Sequence, residues 1–176
     1  MKRLSLKFKD FAVELWICPE LMRDVGVRRI EEVEENLLTF LQQLDVEENK
    51  YLLLYLEKVQ KPRMAVLMAH GTFEGPRVFD GWWYTTAGVN YSVQEWIDKR
   101  EAEGYGAITL MSCNLAGQTP RSSEALLIVP DTPFSIPRVE QGEICINLIH
   151  PKKGELQHVI EHELRSLRAS KKRAPH

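Results

Sequence analysis

Cysteine is scarce in this chain, and so are long apolar runs and any excess of charge of one sign. The three cysteines, Cys18, Cys113 and Cys145, are odd in number and widely spaced, and no C-x-x-C pair occurs. A disulfide framework, a zinc knuckle and a thioredoxin-type site are therefore not expected, and a reducing, cytoplasmic compartment suits this usage. No apolar stretch approaches the roughly 20 residues that span a bilayer, so no membrane partner is expected. The amino-terminal MKRLSLKFKDF carries charge without an apolar h-region and does not read as a secretory leader. Basic and acidic side chains nearly balance, 23 against 25, and the pI is about 6.2. No nucleic-acid partner is expected of such a chain, because binders of nucleic acid are usually distinctly basic.

What is present is enough apolar material for one core. A chain of 176 residues, 44% of them hydrophobic, suits a single domain over 1–168. Residues 169–176 read as a solvated basic tail. Residues 4–8 and 11–17 alternate in part as strands do, as a hairpin about Lys9-Asp10 or as one long bent strand ended by Pro19. Residues 28–44 read as an amphipathic helix, with Ile30, Val33, Leu37, Leu41 and Leu44 on one face. Asp45 and Glu48 form a capping box for a helix over 46–60, with a strand over 51–56 as the alternative.

The short apolar runs at 64–69 (MAVLMA) and 107–112 (AITLMS) suit strands covered on both faces, as in a parallel sheet. Between them Ser92 and Glu95 cap a helix over 93–103, which Gly104 stops. Two such strands joined by a helical crossover make a βαβ unit. Further strands are expected at 125–129 and 143–149, and a last helix at 154–168. The fold class is therefore α/β with a mainly parallel sheet and helices on both faces.

Both of the best strands end in reactive residues: His70-Gly71 follows the first and Cys113-Asn114 the second. Open parallel sheets bind ligands beyond the carboxyl ends of their strands, and a right-handed crossover brings both ends to one edge. A thiolate is a good nucleophile and an imidazole moves protons near neutral pH. Acyl transfer also needs donors to the oxyanion, and the backbone N–H groups of Gly71 and Cys113 can supply two.

On the blocks AVLMAHG and AITLMSCN the chain resembles the caspase–hemoglobinase cysteine peptidases, and SCNLAG resembles the cysteine region of bacterial CHAT domains. The likeness covers about residues 64–117. It implies a three-layer α-β-α fold, His70 as acid/base, Cys113 as nucleophile, and Gly71 with Cys113 as the oxyanion hole. It also implies a polypeptide substrate or protein partner and no cofactor. Met111 and Ser112 stand where caspases carry Gln-Ala, so strict caspase specificity is not implied. In the resembled enzymes the loop after the next strand lines the pocket for the residue before the cut. Here that loop is 130–135, and its charge, Asp131, would favour Arg or Lys; the plainer role for Asp131 is to start a turn.

Other signals compete. His158, Glu161 and His162 match an inverted-zincin pattern, but only 14 residues remain for a further ligand, so no metal is expected. The aromatic stretch 79–84 with Tyr91 reads as a hairpin buttress, or more sharply as a groove wall. Cys18 and Cys145 lie in apolar strand-like runs and read as inert core. Two functions remain: a cysteine peptidase, and a non-catalytic caspase-like interaction module.

Overall fold

Burial at nearly every position, rather than at every second one, marks the strands at the centre of this protein. The structure, a computed structural model, describes residues 1–8, 11–24, 35, 56–57, 60–72, 81–114, 118–130, 146–149, 162, 165 and 169. Among them β1 (Lys2–Phe8) and β2 (Phe11–Ile17) pair antiparallel in full register, so the expected hairpin forms rather than a bent strand. Proline preorganises the first turn of a helix. Accordingly Pro19 does not merely end β2; it opens a short helix, α1 (Pro19–Asp24).

Next come β3 (Arg63–Met68) and a three-stranded antiparallel sheet of β4 (His70–Thr72), β5 (Trp83–Thr86) and β6 (Val89–Ser92). They lead to α2 (Val93–Ala102), and then to β7 (Ala107–Met111), β8 (Leu126–Pro130) and β9 (Ile146–Ile149). The Ser92 side chain accepts the Glu95 N–H at 3.3 Å, and Gly104 at φ +91° stops α2. The large sheet has the order β1-β2-β3-β7-β8-β9. Its four central strands, β2, β3, β7 and β8, are parallel neighbours.

Of the strand expected over 143–149, the described portion, β9, runs antiparallel to β8 and forms an edge. Antiparallel edges on otherwise parallel sheets are common, because an edge strand needs no crossover. Leu56 and Glu57 are helical, which favours the helix over the strand at that end of the segment 46–60. Of the helix over 28–44, only Glu35 is described, and it is helical. Of the last helix, His162, Arg165 and Ala169 are described as helical, the last of these one residue past the expected end.

β3 and β7 are buried throughout except for Arg63. α2 covers the sheet face that carries Trp16: Val93, Trp96 and Ile97 are buried, and the Trp96 ring meets Trp16 edge-on at 5.5 Å. Burial of such side chains stabilises the fold at about 25 cal/mol per Å2 of apolar surface. On the same face Glu14, 8% exposed, accepts from Arg3, from Arg63 at 2.8 Å and from Tyr105 Oη at 2.6 Å. Burial alone raises a carboxyl pKa, but these three donors outweigh it and hold Glu14 at about 2.

Candidate active site at the strand ends

Ile17, Met68 and Met111 are register partners across three adjacent parallel strands, β2, β3 and β7. The next residues therefore leave the sheet along one edge, and they include Cys18, His70 and Cys113. The backbone knits this edge together: Cys18 N–H donates to Met68 O at 2.9 Å, and Ala69 N–H to Met111 O at 3.4 Å. The expected adjacency of the histidine and cysteine strands is thus observed, as parallel direct neighbours. The crossover between them holds a three-stranded sheet as well as a helix.

His70 and Cys113 are both half-buried. Gly71 and Cys113 approach each other closely. A Cβ at Gly71 would stand 2.8 Å from the Cys113 carbonyl carbon and 3.0 Å from its Cβ, with the carbonyl oxygen nearer still. Gly71 does not have the positive φ of Gly81, Gly88 and Gly104. Its lack of a side chain is therefore a matter of space: the two backbones can meet only without a Cβ at 71. This is the physical content of the His-Gly pair in the sequence.

Two further groups hold the segment after β7. The Trp82 indole N–H donates to the Cys113 carbonyl at 2.9 Å. Asn114 closes the following loop twice, with its amide N–H donating to Gln118 O at 2.6 Å and its amide oxygen accepting from Gln118 N–H at 3.0 Å. Neither role is visible in the sequence reading. For Asn114 a signal existed, since Asn side chains often close local turns. For Trp82 the aromatic cluster was the signal, but the hydrogen bond joins residues far apart in the chain.

The aromatic stretch resolves as a hairpin. Trp82 and Tyr84 are buried, at 6% and 5% exposure, whereas Tyr91 is 44% exposed and stacks on Tyr84 at 5.6 Å. Burial pushes the Tyr84 pKa up to about 12. The turn Ala87-Gly88 has two positive φ values, 52° and 73°, as a two-residue type I′ turn requires. The Ala87 N–H donates to the Glu20 carboxylate at 2.6 Å, which ties the hairpin tip to α1.

Cys18 is fully buried, as expected of core, but it stands past the end of β2 rather than inside it. Its thiol donates to the Glu20 carboxylate and to Thr85 O at 3.3 Å. Burial, followed by the bond to Glu20, pushes its pKa up, so it is a protonated strut and not a nucleophile. Asp131, Cys145, His158 and Glu161 lie outside the described residues. His162 is exposed, and no group of three or more His, Cys, Asp or Glu among the described residues is placed to hold a metal. No helix among the described residues is long and apolar enough to cross a membrane.

Comparison with family models, with curated proteins and with solved structures finds no match for this chain.

Proposed function

We propose that this chain is a cytoplasmic cysteine peptidase of the caspase–hemoglobinase type, close to CHAT domains, with a three-layer α-β-α fold and a His70/Cys113 dyad. What supports the reading most is the contact of Gly71 with the Cys113 backbone. It brings the two motif ends of adjacent parallel strands together at the edge where such sheets bind ligands.

In this mechanism the Cys113 thiol gives its proton to His70 as sulfur attacks the carbonyl carbon of a peptide bond. The oxyanion is held by the N–H groups of Gly71 and Cys113. Collapse breaks the C–N bond, and His70 returns the proton to the leaving amine. Water then attacks the thioester with His70 as base, which releases the acid and restores the thiol. Neither a metal nor a cofactor enters the scheme. Asp131, directly after β8, would select a basic residue before the cut.

The test is a positional peptide library together with a peptidyl electrophile that labels active-site thiols, followed by peptide mapping. Label at Cys113, turnover of some library members, and loss of both label and turnover in Cys113→Ala are expected. A preference for Arg or Lys before the cut would assign the pocket to Asp131. Full turnover by Cys113→Ala would refute the dyad. A folded protein that neither turns over nor labels would leave the non-catalytic interaction module as the better reading.

A further inference from the structure

The backbone beyond β7 leaves the sheet, so its polar groups need partners of another kind. The Cys113 carbonyl packs against Gly71 and takes the indole N–H of Trp82. An indole is a donor only, and when buried it needs an acceptor. Trp82 is itself fixed: the residue is 6% exposed, and its backbone carbonyl accepts the N–H of Val93, the first residue of α2, at 2.8 Å. One buried residue, directly before β5, thus joins the start of α2, through its backbone carbonyl, to the Cys113 carbonyl, through its indole. From the other side, the Asn114–Gln118 bonds close the loop.

We infer that Trp82 is a positioning residue for Cys113: its N–H, through the Cys113 carbonyl, sets the peptide that aims the thiol. The inference rests on the peptidase reading for its effect on turnover, but not for its effect on the thiol. Misplacing a reacting group by about 1 Å costs on the order of 100-fold in rate. Without the N–H the segment gains freedom. A small reagent then reaches the sulfur more easily, while a substrate is attacked less well.

Trp82→Phe keeps an aromatic ring and removes the donor. Two rates are measured: alkylation of Cys113 by iodoacetamide, read by peptide mapping, and peptide turnover. Alkylation of Cys113 should rise about threefold or more, kcat should fall about 10- to 100-fold, and KM should stay within about twofold. Cys18, fully buried, is the internal control and must remain protected; a merely unfolded variant would expose both thiols. The wild type gives a second measurement that needs no variant. The Trp82 indole proton should exchange with solvent far more slowly than that of a free indole, and exchange at the free rate would overturn the inference. So would unchanged Cys113 alkylation in a folded Trp82→Phe, even if the wild type proves to be an active peptidase. Conversely, a raised alkylation rate in Trp82→Phe, where the wild type shows no turnover, would sustain the positioning role and sink the peptidase reading, and a lowered rate would overturn the inference.

Discussion

Gly71→Ala is the sharpest test of the strand-end geometry. The added methyl would lie 2.8 Å from the Cys113 carbonyl carbon, where ordinary contact begins at 3.4 Å, so the backbones must part by at least 0.6 Å. The carbonyl oxygen is closer still, and it is tethered by Trp82, so it cannot simply swing away. None of the crowded atoms is the end of a flexible side chain. Overpacking of this kind costs about 1–3 kcal/mol. In a chain of this size each kcal/mol lowers Tm by about 2–4 °C. Turnover should fall about 100-fold, since the displacement approaches 1 Å at the reacting group. Gly106→Ala is the control. It crowds Lys61 O at 2.6 Å and Leu56 Cδ2 at 2.7 Å, at the opposite end of β7. It should lose comparable stability and keep turnover per folded molecule. The assay is thermal unfolding beside turnover normalised to folded protein. A Gly71→Ala variant that matches the wild type in both, or a Gly106→Ala variant that loses turnover equally, would refute the argument that space at 71 serves Cys113.

Glu14 makes acid sensitivity predictable. Its folded pKa of about 2 lies below the ordinary 4.5, so its contribution is complete above pH 4.5 and is lost as pH falls toward 2. The contribution is on the order of 3 kcal/mol. Glu14→Gln should therefore be less stable than the wild type in urea at pH 7, with the gap closing by pH 2–3; a gap independent of pH would contradict the assignment. Ser112 is 2% exposed and its hydroxyl has no hydrogen-bond partner among the described residues. Ser112→Ala should therefore raise stability by about 1 kcal/mol, read as a Tm gain of about 2–4 °C, with turnover unchanged. A loss of stability would show that the hydroxyl is satisfied.

The parts of this fold that were legible are those whose cause is local. MAVLMA and AITLMS are apolar or small at every position because both sheet faces are covered there, and they became β3 and β7 with shifts of one residue at their ends. Ser92 with Glu95 marked the start of α2 because the cap is a bond between residues three apart. The parts that were not legible depend on partners far along the chain. β4 has three residues, too few for any period, and exists because β5 pairs with it. Glu14 stands within an apolar strand and would be costly there alone; Arg3, Arg63 and Tyr105 satisfy it from separate segments. Trp82 carries no periodic mark of its tie to Cys113.

Cys18 and Cys113 show why a strand end alone does not make a reactive thiol. Both follow parallel strands at the same edge of one sheet. The thiol of Cys18 is fully buried and spent as a donor to Glu20 and Thr85, an arrangement that favours the neutral form and fastens α1 to the hairpin. At Cys113 it is the carbonyl that is held, by Trp82, while Gly71 keeps the space beside it free of a side chain. Cys18 is fully buried with its sulfur against acceptors, whereas Cys113 is half-buried with its carbonyl fixed. The two cysteines differ in burial, complete at Cys18 and partial at Cys113, and that difference, more than the sequence around either one, makes Cys113 the residue to alkylate and mutate first.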